Sequence, residues 1–128
     1  MKIASWNVNG IRARIEHVTT WIESNQPDVL ALQETKVMDE MFPFDVFASL
    51  GYQANIYGQK SYNGVALLSK EKPKVCKKGI DGFTDEQTRV ISGIYKDITI
   101  IDVYIPNGQS VGSEKFEYKM KWLKHLHD

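Results

Sequence analysis

Val29, Leu30, Ala31 and Leu32 form an apolar run that breaks into Gln33, Glu34, Thr35 and Lys36, and the chemistry this sequence offers begins at Glu34. A run apolar at every position reads as a strand covered on both faces. Pro27 and Asp28 punctuate its start. In open α/β sheets ligands gather beyond the carboxyl ends of strands, so a carboxylate delivered there is a candidate hard-oxygen ligand for a divalent cation. The alternative is a solvated loop glutamate. The same form occurs twice more. Lys2 to Trp6 runs into Asn7, Val8, Asn9 and Gly10, and the run from Ile98 delivers Tyr104 and, after Pro106, Asn107 and Gly108. Three strand ends thus present amides, a carboxylate and a phenol in the same sense.

The intervening elements decide whether these ends meet. Ile15, Val18, Trp21 and Ile22 recur at helical spacing between Arg14 and Asn25, and Asn25, Gln26 and Pro27 stop the helix. Strand, helix and strand make a β-α-β unit whose crossover allows two parallel neighbours, with Asn7 and Glu34 at one rim. Asp39 to Leu50 is apolar but interrupted by Pro43, which predicts short helical turns closed by Gly51. Gln53 to Tyr57 and Val65 to Ser69 read as strands joined by a Gly, Asn and Ser loop with Tyr62 exposed at its tip. Pro73 to Lys77 reads as a further strand, Val90 to Tyr95 and Ile98 to Tyr104 as a hairpin turning at Lys96 and Asp97, and Glu114 to His127 as a helix. So few helices cannot cover strands apolar on both faces, which predicts an uncovered sheet face and a chain forming the front part of a larger layered core.

Composition narrows the class. The 128 residues are 42% hydrophobic and 25% charged, the profile of one globular domain. No apolar stretch approaches the roughly 20 residues that span a bilayer, and no secretory h-region follows Met1 and Lys2, so a cytoplasmic protein without membrane contact is expected. Sixteen basic and sixteen acidic residues balance, which excludes the bulk charge of a nonspecific nucleic-acid binder and makes any such contact local. The lone Cys76 has no partner at metal spacing and reads as a small, partly buried residue.

WNVNGIRA at Trp6 to Ala13, LQETK at Leu32 to Lys36, YNGVALLS at Tyr62 to Ser69, RVI at Arg89 to Ile91 and YIPNG at Tyr104 to Gly108 occur in this order. Together they resemble the exonuclease III family of DNA-repair nucleases, within the endonuclease/exonuclease/phosphatase superfamily. The resemblance implies a four-layered α/β sandwich of which residues 1 to 128 are the N-terminal part, with the C-terminal half absent. It implies Mg²⁺ or Mn²⁺ as cofactor, no small organic cofactor, and double-stranded DNA with abasic sites or 3′ ends as partner. By the same resemblance Glu34 is a metal ligand, Asn7 lies beside the metal and positions catalytic groups, and Tyr104 stands close to the scissile phosphate. Arg12 and Ala13 match a phosphate-contacting turn, Tyr62 a loop aromatic entering a groove, and Asn107 a residue that contacts DNA or shapes the site.

Attack on a phosphodiester builds charge on nonbridging and leaving oxygens, and a cation, amide donors and a phenol are the groups such a site requires. The family's second half, with its GDxN segment, a further aspartate and a terminal Asp-His pair, has no counterpart in these 128 residues. Activity is therefore expected to need that half or self-association. Two other readings stand beside it: a noncatalytic nucleic-acid binding fragment, and a different superfamily branch such as a phosphoinositide phosphatase.

Overall fold

The computed structural model describes residues 1–80 and 87–105. The helix expected from Glu114, and Asn107 with it, lie outside the described residues. The chain runs through β1 (Ile3–Asn7), α1 (Ile15–Asn25), β2 (Val29–Gln33), a 3₁₀ turn (Asp39–Met41), α2 (Phe44–Ala48), β3 (Gln53–Tyr57) and β4 (Val65–Ser69). β5 (Val75–Lys78), β6 (Val90–Tyr95) and β7 (Ile98–Val103) follow. β1 to β4 form one sheet in the order β1-β2-β4-β3, and β5 to β7 form a second in sequence order.

The β-α-β expectation holds: β1 and β2 are parallel neighbours, with Ile3 opposite Val29 and Asn7 opposite Gln33. α1 makes the crossover because Val18 and Ile22 bury one stripe on the sheet. Gln26, in the left-handed conformation, ends it by donating its amide to Ile22 O at 2.8 Å, a C-terminal closure followed by Pro27. β1 runs one residue further than its apolar residues suggest, so Asn7 is the last residue of the strand and not the first of the turn.

Alternation divides the core in two. Leu30, Leu32, Ala66, Leu68 and Ile56 face the helices and join Val18, Ile22, Phe42 and Phe47. Val29, Ala31, Val65 and Leu67 face the second sheet and meet Ile91 and Tyr95. β4 is buried at all five positions and β2 at four, as the continuous apolar runs predict. Helices, first sheet and second sheet give three of the four expected layers.

Among the described residues the central strands of the first sheet, β2 and β4, are covered on both sides. Exposed apolar side chains sit on edge strands, Ile3 on β1, Val75 on β5 and Ile101 on β7, while Val90 on the central strand of the second sheet is buried. Within the first sheet only the β1 edge stands clear. β7 packs over β2 and β4, leaving Ile3, Ser5 and Asn7 open to solvent. Cys76 also departs from expectation. It is exposed, because β5 is an edge strand with all four residues at the surface.

Candidate active site

The rim is built from loops that bond to one another through their backbones. After β1, the amides of Val8, Gly10 and Ile11 donate to the carbonyls of Gln33 (3.0 Å), Glu34 (2.8 Å) and Thr35 (3.0 Å), while Asn7 Oδ1 accepts from the Asn9 amide at 3.1 Å. Beyond β2, the amides of Thr35 and Lys36 donate to Gly64 O (3.2 Å) and Asn63 O (2.9 Å), and the Gly64 amide donates to Thr88 O at 2.9 Å. Gln59 Oε1 completes the lacing by accepting from Asn63 Nδ2 (2.9 Å), the Thr88 amide (2.9 Å) and Thr88 Oγ1 (3.1 Å). Four segments distant in sequence are thereby held as one edge.

Glu34 stands on this edge with φ +56°, a left-handed backbone that costs a non-glycine residue about 1–2 kcal/mol and is kept only where the surroundings impose it. Its side chain is partly exposed, and Oε1 lies 3.7 Å from Lys36 Nζ. That is a loose pair of modest worth. Lys36 Nζ is itself held by Asn9 Oδ1 at 2.5 Å. Asn7 lies at the same strand end, opposite Gln33 and one residue from Glu34.

Tyr104 arrives from the second sheet. Its amide donates to Arg89 O at 2.8 Å, and Arg89 Nη1 returns a 3.2 Å bond to Tyr104 O. The Arg89 guanidinium sits 4.8 Å from the centre of the tyrosine ring, within cation–π range. Arg89 Nε is fixed by Gln87 Oε1 at 2.8 Å. Burial pushes the Tyr104 phenol above its ordinary pKa, and the Glu34 carboxylate pushes it further by its charge and by accepting from the hydroxyl, against the opposing charge of Arg89. Two residues that follow strands of different sheets, 70 positions apart in sequence, thus feel one another electrostatically.

Arg12 and Ala13 are exposed on the turn anchored by buried Ile11, and Tyr62 is 71% exposed on the loop that carries Asn63 and Gly64. All three therefore border the rim through backbone bonds without touching Glu34 in the hydrogen-bond pattern. Arg89 and Gln33 entered the sequence reading only as letters of their motifs, and Asp102 was not singled out. The available signal was chemical: Asp102 is a carboxyl in an otherwise apolar strand, where aspartate is depleted.

No group of three or more His, Cys, Asp and Glu side chains gathers among the described residues. Glu34 and Asn7 supply hard oxygens of the kind Mg²⁺ and Mn²⁺ take, and the loose Lys36 pair leaves the carboxylate free to exchange its partner. These residues fit part of a cation site.

Comparison with known proteins agrees with this geometry. The endonuclease/exonuclease/phosphatase family profile matches residues 4–125. The chain belongs to this family. It is similar to exodeoxyribonuclease III of Haemophilus influenzae, with 42% identity over 98% of the chain and 49% of the relative. An AP endonuclease of Archaeoglobus fulgidus superposes with a TM-score of 0.94 at 40% identity, over 99% of this chain and 49% of that one. A 3′ phosphatase of Neisseria, solved with a product DNA hairpin, gives 0.95 at 38% over 98% and 49%. The chain spans about half the length of each. The exonuclease III resemblance and the layered α/β class are thereby borne out, and endonuclease/exonuclease/phosphatase nucleases are divalent-metal dependent.

Proposed function

We propose that this chain supplies the N-terminal half of an exodeoxyribonuclease III-like nuclease that hydrolyses DNA phosphodiesters at abasic sites and 3′ ends. The observation that carries the reading is the convergence of Asn7, Glu34 and Tyr104 on one strand-end rim, laced by backbone bonds and close enough for the Glu34 carboxylate to raise the Tyr104 phenol's pKa. Glu34 and Asn7 would hold Mg²⁺ or Mn²⁺, which when bound would supply a Lewis acid for the charge that develops on phosphate oxygens. The Tyr104 hydroxyl, kept protonated by burial and by Glu34, is a donor across the neutral range. Transferred from the carboxylate to a nonbridging oxygen, that donation strengthens as charge grows in the transition state. Arg89, stacked on the ring, fixes its direction. Arg12, Ala13 and Tyr62 flank this centre as contacts for a duplex, phosphate-directed in the turn and stacking at the loop tip. Asn107 shares the role by sequence motif.

The exodeoxyribonuclease and AP endonuclease relatives, the DNA hairpin bound by the Neisseria 3′ phosphatase and the rim geometry support this reading over a phosphoinositide phosphatase. The noncatalytic reading applies to the 128 residues by themselves. One carboxylate holds a catalytic cation weakly, and among the described residues no group of three or more His, Cys, Asp and Glu side chains gathers to hold it.

The experiment is Mg²⁺-dependent cleavage of an abasic-site duplex by this chain, alone and mixed with the second half of an exodeoxyribonuclease III relative, with Glu34→Gln in parallel. Cleavage should appear only on mixing, and Glu34→Gln should lower it by two orders of magnitude or more, several kcal/mol at ~1.4 kcal/mol per tenfold, while leaving the circular dichroism spectrum unchanged. A Glu34→Gln mixture cleaving at the unsubstituted rate under limiting Mg²⁺ would remove Glu34 from the metal site.

A further inference from the structure

Close to the rim, the interface between the two sheets contains a polar crossing. Asp102 is 2% exposed, and its Oδ1 accepts a 2.6 Å hydrogen bond from Gln33 Nε2. The same nitrogen donates to Ser5 Oγ at 3.0 Å and lies 3.4 Å from the Ala31 carbonyl. Asp102 Oδ2 is buried with no hydrogen-bond partner among the described residues. A buried carboxyl with an unsatisfied oxygen is costly, and a packed apolar side chain in its place is often the more stable choice. Stability alone does not account for it.

Its location does. Gln33 directly precedes Glu34, Ser5 stands two residues before Asn7, and Asp102 two before Tyr104, so the chain Ser5, Gln33, Asp102 crosses from β1 through β2 to β7 just beneath the three rim groups. Apolar packing between sheets is non-directional and permits small slips. A short hydrogen bond to a carboxyl fixes both distance and direction. We propose that Asp102 is a positioning residue, which through the Gln33 amide locks the end of β2 against β7 and so sets where Glu34 stands relative to Tyr104.

Glu34 needs such a lock on its upstream side. Downstream, its strained backbone is held by Gly10 on its carbonyl and by Gly64 and Asn63 on the next two amides. Upstream, the Gln33 side chain is the part that engages the opposite sheet. Ligands held by such outer partners lose about 10- to 100-fold in metal affinity or activity when the partner is removed. The proposal rests on Glu34 and Tyr104 being site groups, and the test separates the two ideas.

Asp102→Asn keeps an oxygen to accept from Gln33, Asp102→Leu keeps volume without it, and Ser5→Ala removes the exposed end of the bridge without touching the core. Two quantities are measured on the 128-residue chain: amide hydrogen exchange by NMR and Mn²⁺ affinity by titration. Asp102→Leu should speed exchange at Thr35, Lys36 and Tyr104 about 5- to 10-fold, the worth of one net hydrogen bond, with the β4 amides of Leu67 and Leu68 unchanged. Mn²⁺ affinity should fall by about the 10- to 100-fold above, Ser5→Ala should act in the same sense to a smaller degree, and Asp102→Asn should match the unsubstituted chain.

A uniform rise in exchange across both sheets, no change at the rim, or an Asp102→Asn variant as impaired as Asp102→Leu would overturn the proposal. If Asp102→Leu does not fold, the Ser5→Ala exchange pattern decides. If the unsubstituted chain by itself binds Mn²⁺ too weakly to measure, as a single carboxylate would, exchange at the rim alone decides the role of Asp102, and the metal reading of Glu34 is decided separately by the Glu34→Gln cleavage assay on the mixed halves.

Discussion

Replacing Asp102 by asparagine should gain stability relative to the unsubstituted chain as pH rises from 4 to 8. Burial raises the Asp102 carboxyl to about 7, opposed by the Gln33 hydrogen bond and the nearby Ala66 and Leu32 amides. In the unfolded chain the same group titrates near its ordinary value of about 3.9. Between these values the folded state binds more protons than the unfolded state, so stability falls with rising pH, by at most ~1.4 kcal/mol per unit, and levels off above the folded pKa. Over about three units this amounts to roughly 4 kcal/mol, and relaxation around the newly charged group brings it nearer 2–4 kcal/mol. The Asp102→Asn variant has no proton to lose there and keeps the oxygen that accepts from Gln33. The assay is urea denaturation of both proteins at half-unit steps, reading the difference in unfolding free energy. Asp28 does not interfere. The Lys2 amide lowers its pKa, so its contribution is present above the ordinary carboxylate range and is lost only as pH falls below it, in both proteins alike. A difference that stays constant from pH 4 to 8, or shrinks as pH rises, would refute the placement of a protonated Asp102 between the sheets.

In the reconstituted nuclease, Tyr104→Phe removes one hydrogen bond to a charged oxygen, worth ~1.5–3 kcal/mol, and should lower kcat about 10- to 200-fold with KM little changed; a change confined to KM would place Tyr104 in ground-state binding. Arg12→Ala should weaken duplex binding equally across sequences and reduce the salt-dependence slope by about one, measured by fluorescence anisotropy at several ionic strengths; an unaltered slope would make Arg12 an ordinary surface arginine. Gly64→Ala should destabilise the chain by about 2–4 kcal/mol in urea denaturation, because a methyl group there would lie 2.1 Å from Thr35 Oγ1 on a backbone at φ +96°, adding overpacking to left-handed strain. A loss below 1 kcal/mol on the same scale would show that the Tyr62 loop is not pinned to the Glu34 turn.

What was legible in the sequence was whatever depends on neighbours along the chain. β2 and β4 announced themselves because a strand buried on both faces must be apolar at consecutive positions, and Glu34 because polarity returns abruptly where such a strand ends. The α1 crossover was readable from one stripe, Val18 and Ile22. Residues whose role depends on the packing of one sheet on the other were not. Gln33 and Asp102 are 69 positions apart, and no local spacing connects them. That a second sheet would cover the first was not legible for the same reason. Counting helices against strands assumes that helices cover sheets, whereas here the second sheet covers one face of the first.

The rim also explains why glycine spacing marks only part of it. Among the described residues, seven non-glycine positions have positive φ, and Asn9, Glu34, Lys36, Ser61 and Asn63 belong to the three loops that meet at the site. Glycine takes such conformations without steric cost at Gly10 and Gly64, but glycine carries no side chain to offer a metal or a phosphate. Where Glu34 and Lys36 present a carboxylate and an ammonium at the rim, the backbone strain of about 1–2 kcal/mol apiece is offset by the interlocking amide bonds to Gly10, Gly64 and Asn63. The lacing is therefore the means by which charged side chains occupy turns that composition alone would assign to glycine. It also makes the turns interdependent: loosening the Gly64 contact to Thr35 should disturb Glu34, because the amide that follows the strained residue is donated to that glycine's carbonyl.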